Sequence, residues 1–185
     1  LIGIQCSFSK NIAISLYTGI ITDSGSLRYP NVTSATHLKV SKLMDYDIDH
    51  ANVHRKLFDS QNKSRFELLK ICLNNLQFFE HETIALTYLM EEDLMLYNYK
   101  KGDTEGFVNL PLSIKDVHFS AFFVQFEDGI KISFRSQGNF DVNLFANNYF
   151  NGGGHKNAAG GFLNHRDMLE AIKHFSSVLK SSLQE

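Results

Sequence analysis

The sequence predicts an α/β fold, with helices over the first third of the chain and then strands and helices in alternation. Four observations carry that expectation. Apolar residues at Ile12, Ala13, Leu16, Tyr17 and Ile20 recur at helical spacing. Phe119 to Phe126 is almost wholly apolar, as a strand buried on both faces is. Ile130 to Arg135 then alternates, with Ile130, Ile132 and Phe134 on one face and Lys131, Ser133 and Arg135 on the other. The chain closes on Arg166 to Leu183, where Met168, Leu169, Ile172, Phe175, Leu179 and Leu183 form one helical stripe.

The elements follow in order. A helix over Asn11 to Ile21 breaks into the turn Asp23-Ser24-Gly25. Thr36 is the expected N-cap of a short helix to Met44, with Leu38, Leu43 and Met44 inward. The acidic run Asp45 to Asp49 leads into a helical piece ending near Phe58. Polar residues 59–65 read as a linker, dividing a first part, 1–58, from a second, 66–185. In the second part Phe66 to Leu76 reads as helix, Thr83 to Met90 as a buried strand and Glu91 to Tyr99 as a short helix. Glu127, Asp128 and Gly129 supply a hairpin turn. Val142 to Tyr149 is a short helix, and a glycine-rich loop follows it. The chain opens on Leu1 with an apolar, uncapped segment, which is expected to continue from a preceding portion.

Composition narrows the function. A 185-residue chain that is 43% hydrophobic, with 16 phenylalanines, has enough apolar material for a packed core. A net charge of −2 gives no global field to draw in long duplex nucleic acid, so an anionic ligand needs a local site. Cys6 and Cys72 form no CxxC or metal-ligand spacing and have no base nearby in sequence, which fits a reducing cytoplasm and argues against a thiol nucleophile. No window approaches the roughly 18 apolar residues of a membrane span.

The densest chemical signal is NGGGHKNAAGG, Asn151 to Gly161, which holds five of the 12 glycines around one histidine. Consecutive glycine amides can line a concavity for an anion, with His155 and Lys156 as side-chain partners. A P-loop would end in GK followed by Ser or Thr, and a dinucleotide fingerprint needs GxGxxG; neither is present. Upstream, ISFRSQGNF places Arg135 on the polar face of a strand, with Ser136 and Gly138 at its end. Alone, Arg135 reads equally as a solvated face residue. Asp23, in TGIITDSG, sits where a helix breaks, as a carboxylate at a crevice or as an ordinary turn aspartate. His50 and His54 lack the glutamate of a zinc-protease helix. Asp45, Asp47 and Asp49 lack the glycine and glutamate of a calcium loop.

Taken in order, TGIITDSGSLRY, GDTEGFVN and ISFRSQGNFDVNLFANNYFNGGGHKNAAGG resemble the DHH phosphoesterase superfamily with its carboxy-terminal DHH-associated domain. The nearest subgroup is the cytoplasmic nano-RNases that also act as pAp phosphatases. The resemblance implies the end of a Rossmann-like DHH catalytic lobe over 1–58 and a complete α/β substrate-binding lobe with a mixed sheet over 66–185. It implies Asp23 as a catalytic carboxylate and metal ligand. It also implies Arg135, Ser136, Gly153, Gly154 and His155 as the residues that hold substrate phosphate and nucleotide. Two manganese ions would serve the whole enzyme, with none held by this chain alone. Substrates would be short oligoribonucleotides and pAp, without long duplex and without a membrane, and homodimerisation is compatible with it. The family's first three motifs, including the Asp-His-His triplet, are absent, so the chain reads as a carboxy-terminal portion that is nearly inactive by itself. A non-catalytic RNA- or nucleotide-binding module, and a pyrophosphatase or polyphosphatase of the same superfamily, are the competing readings.

Overall fold

The computed structural model describes residues 8–182, which form two compact units meeting in sequence at Gln61 and Asn62. That division falls within the expected linker, but the linker is shorter than its composition suggested. Lys63, Ser64 and Arg65 already belong to a helix, because Ser64 and Arg65 have partners in the fold.

The first unit is helical. Helix α1 (Lys10–Asp23) starts at Ser9, whose hydroxyl accepts from the Ile12 amide. Helix α2 (Ser34–Met44) is capped by Thr33, not Thr36. Thr36 occupies the third helical position, and its hydroxyl accepts from the Thr33 amide, completing a reciprocal box. Helix α3 (His50–Phe58) is capped by Asp49. Ala13, Tyr17, Ile21, Leu43 and Ile48 form the core of this unit. Leu38 and Met44, expected inward, are exposed: α2 is short, and Leu43 is its one buried residue.

The second unit is a six-stranded mixed sheet. Its strands are β1 (Gln77–Phe79), β2 (Ile84–Leu89), β3 (Phe119–Phe126), β4 (Gly129–Ser136), β5 (Gly153–His155) and β6 (Ala158–Leu163). They lie in the order β1-β2-β3-β4-β6-β5; β2 and β3 run parallel and every other pair antiparallel. Four helices flank it: α4 (Lys63–Asn74), α5 (Glu91–Leu96), α6 (Val142–Tyr149) and α7 (Met168–Ser182).

Strand alternation sorts the side chains into two layers. On one face Phe119, Ala121, Phe123, Ile130, Ile132 and Phe134 pack with residues that include Phe145 of α6, Phe150 just beyond it and Phe175 of α7. The rings meet largely edge to face, as for Phe134 with Phe145 at 5.5 Å and Phe123 with Phe175 at 5.7 Å. On the other face Leu89, Phe122 and Val124 pack with Leu68 and Cys72 of α4, Leu94 of α5, and Phe107 and Val108. That second layer lies over β2 and β3, and its Phe107–Asn109 segment also reaches β4. Within this unit Ser133 and Arg135 of β4, and the β6 and β5 residues beside them, stay partly or wholly exposed on that face.

Two expectations are corrected here. Ala171 rather than Leu169 lies in the buried stripe of α7, and Leu169 is exposed; Leu183 lies outside the described residues. The glycine-rich segment is also not a loop. It forms strands β5 and β6, joined by the two-residue turn Lys156-Asn157. Glycine permits this because backbone packs on backbone. A Cβ on Gly152 would collide with the Gly160 carbonyl, one on Gly154 with the Ala158 carbonyl, and one on Gly161 would come within 2.7 Å of Phe150.

Candidate functional site

Arg135 lies near the end of β4 on the open face, half-buried. The ladder places it opposite Ala158 on β6, and Ala158 opposite His155 on β5. Arg135 and His155 therefore share one face, two strands apart, with only a methyl group between them. One register step on, Ser133, Gly160 and Gly153 form a second row of small residues on that face. The result is a shallow floor walled by a guanidinium and an imidazole. His155 is exposed, and the Arg135 guanidinium donates through Nη1 to its own strand's Phe134 carbonyl at 2.9 Å. Its other N–H groups can still meet an anion.

Ser136 has a different situation from Arg135. It is buried, its Oγ donates to the Phe140 carbonyl at 2.8 Å, and it accepts from Asn157 Nδ2 at 2.9 Å. Its hydroxyl is committed to holding the β4–α6 turn, where Gly138 takes φ 76°. The glycine amides are committed as well. Gly152 donates to the Ala146 carbonyl at 3.2 Å and Gly154 to Asn143 Oδ1 at 2.8 Å. Since Gly154 points its amide out of the ladder, the alternation turns those of Gly153 and His155 toward β6. No row of free amides forms a concavity, so the anion nest expected from the glycine run is absent. Gly153 contributes openness instead: it is exposed, and a Cβ there would meet nothing closer than Asn143 at 3.4 Å.

Asp23 belongs to the helical unit. It is the last residue of α1, exposed, and followed by the buried Ser24, whose Oγ accepts from the Leu27 amide at 3.0 Å. Ser26 and Leu27 take positive φ to complete the turn. Among the described residues, no three His, Cys, Asp or Glu side chains come together as a metal-binding group. A single carboxylate does not by itself fit a two-metal centre, which needs several donors per ion. Nor do His50 and His54 make a metal pair. His54 Nε2 is instead 3.0 Å from the Tyr17 hydroxyl, linking α3 to α1.

One role was not readable from the sequence. Arg65, expected in a linker, donates to the Asp103 carbonyl at 2.7 Å and the Glu105 carbonyl at 2.8 Å, and lies 4.7 Å over the Phe107 ring. It ties α4 to the segment GDTEGFVN, whose Phe107 is fully buried and whose Asp103 accepts from the Lys100 amide. That motif is thus part of the scaffold under the sheet. An arginine two residues into a helix carries no pattern that separates this from a solvated position. Elsewhere, an open depression of about 830 Å³ lies among Glu91, Phe126, Glu127, Asp128, Lys131 and Phe162, at the other end of β4 from Arg135. Its carboxylates suit an anion poorly.

The mixed sheet and the glycine hairpin at its edge thus set Arg135 and His155 on one face. The DHHA1 domain family matches residues 85–185, and the chain belongs to it. This is the carboxy-terminal domain of the DHH superfamily, and the curated relatives are of the nano-RNase type. A probable bifunctional oligoribonuclease and PAP phosphatase of Streptococcus mutans is 32% identical over 157 residues, covering 84% of this chain and 49% of the relative. A bifunctional oligoribonuclease and PAP phosphatase of Thermus thermophilus is 27% identical over 183 residues, 99% of this chain and 54% of the relative. The crystal structure of an exopolyphosphatase-related protein from Bacteroides fragilis is 40% identical. It superposes with a TM-score of 0.89 over 94% of this chain and 51% of its own. The chain thus spans about half the length of the relatives it matches. Among the described residues, no helix is long and apolar enough to cross a membrane.

Proposed function

We propose that this chain is the substrate-holding part of a metal-dependent phosphoesterase that hydrolyses short oligoribonucleotides to mononucleotides and removes the 3′-phosphate of pAp. The observation that carries the reading is the register: Arg135 and His155 face the same way across one small residue. A phosphate on that floor would take charge-assisted hydrogen bonds from the guanidinium and a hydrogen bond from the imidazole. Gly153, Ala158 and Gly160 leave room for the sugar and base, and Gly154 sets the shape of the edge strand. Ser136 acts from below, by fixing the turn beside Arg135. Local capture of this kind suits a short ligand, since long RNA needs an extended basic track. The names of the curated relatives support the substrate class.

Asp23 is proposed as one catalytic metal ligand of the whole enzyme, with two manganese ions as the metals. Among the described residues, Asp23 is not part of a group of three His, Cys, Asp or Glu side chains that could hold a metal ion. A second reading, polyphosphate as substrate, is favoured by the name of the Bacteroides fragilis relative.

Calorimetric titration of the full chain with pAp, AMP and tripolyphosphate separates these. The proposal expects saturable binding of pAp, with Arg135→Ala and His155→Ala each losing roughly 1–3 kcal/mol without loss of thermal stability. Tripolyphosphate binding tighter than pAp would favour the second reading. Unchanged pAp affinity in both variants would overturn the assignment of this face.

A further inference from the structure

We propose that Asn157 is a positioning residue for phosphate recognition, setting the distance between His155 and Arg135. This inference rests on the proposed role of those two side chains. Strand β5 is three residues long, two of them glycine, and it is the sheet's outer strand. Such a strand has almost no side chains to fix its register or its placement. His155 therefore needs an external anchor if it is to meet a ligand at a defined point.

The structure supplies that anchor from Asn157, two residues beyond His155. Its Nδ2 donates to Ser136 Oγ at 2.9 Å and to the Gly138 carbonyl at 3.3 Å. Its own carbonyl accepts from the Ser136 amide at 3.2 Å, and the neighbouring Lys156 carbonyl accepts from the Val142 amide at 2.8 Å. Ser136 directly follows Arg135. One amide group thus bolts the hairpin tip to the strand end that carries the guanidinium. Asn143 of α6 holds the hairpin's outer edge through the Gly154 amide. Asn157 is itself exposed.

Losing the donor at Asn157 leaves the hairpin tip on its two backbone hydrogen bonds alone and lets it shift, so that His155 no longer closes at a defined distance on a phosphate held by Arg135. Asn157→Asp keeps the size and removes the Nδ2 donor, and it places an oxygen against the Gly138 carbonyl. The experiment is pAp titration of the full chain as wild type, Asn157→Asp, His155→Ala, Arg135→Ala and the doubles Asn157→Asp/His155→Ala and Asn157→Asp/Arg135→Ala. Asn157→Asp is expected to weaken pAp by about tenfold, and His155→Ala to add less than about twofold in that background. Arg135→Ala should still cost its full wild-type factor. A structural role alone would leave the His155→Ala factor unchanged, and that result would overturn the proposal. Should Asn157→Asp melt well below wild type, Asn157→Ala is read the same way at a temperature where both are folded. If His155→Ala and Arg135→Ala leave wild-type affinity untouched, the phosphate face itself fails and this proposal falls with it. If they weaken wild type but the Asn157 background does not absorb the His155 effect, only the positioning role is lost.

Discussion

At the scale of single residues, the glycines of the hairpin divide into two kinds. Gly152 is packed against the Gly160 carbonyl, whereas Gly153 is exposed on the Arg135 side and a Cβ there would meet only Asn143 Oδ1, at 3.4 Å. Gly152→Ala is therefore expected to destabilise the fold by about 1–3 kcal/mol through overpacking. Gly153→Ala should leave stability nearly unchanged and act on ligand affinity. Chemical denaturation of the two variants checks the contrast. The sequence made the glycine cluster and His155 visible, but not this division, because a glycine's neighbours across a sheet carry no local signal. Cys72 gives a second residue-scale prediction. Burial against α4's apolar neighbours pushes its thiol from 9.0 up to about 11, since the thiolate loses its solvation. A raised native value means the unfolded chain releases the proton first. Stability from this group is complete below pH 9.0 and is lost as pH rises toward about 11. The loss is at most about 3 kcal/mol. Comparing denaturation of wild type and Cys72→Ala across that window tests it: wild type should show the steeper decline.

At the scale of elements, β3 and β4 were legible because their side chains alternate or stay apolar over eight residues each. Helix α6 spans the expected Val142–Tyr149, and the structure adds its cap, Asp141, which accepts from the Asn143 and Leu144 amides. Strands β5 and β6 were not legible, since Gly153, Gly154, Gly160 and Gly161 have no side chains to form a pattern. The helix α4 boundary was missed because Lys63, Ser64 and Arg65 look like solvated loop residues; only the distant carbonyls of Asp103 and Glu105 give Arg65 its role. Arg65→Ala should cost about 2 kcal/mol from two charge-assisted hydrogen bonds and a cation–π contact. Lysine should not rescue it, because one ammonium does not replace the planar fork. Thr33→Ala should cost about 1 kcal/mol by removing the α2 cap. Thermal melts of the three variants measure both.

At the scale of the molecule, the two units differ in their means of staying folded. Among the described residues, the helical unit buries five apolar side chains in its core, while the sheet unit has two layers of 18 and eight. Hydrogen exchange in increasing denaturant should open α1, α2 and α3 before β3 and β4. The proposed function follows the same partition. The sheet unit is a DHHA1 domain with Arg135 and His155 on one face, and Asp23, the proposed metal ligand, lies in the helical unit. The central claim is that this face holds a nucleotide's phosphate. Its most direct test is amide and side-chain NMR of the isotopically labelled full chain titrated with pAp. The account predicts that shift changes concentrate at Ser133, Arg135, Gly153, His155 and Gly160. Changes centred instead on Glu91, Glu127, Lys131 and Phe162, at the far end of β4, would contradict it.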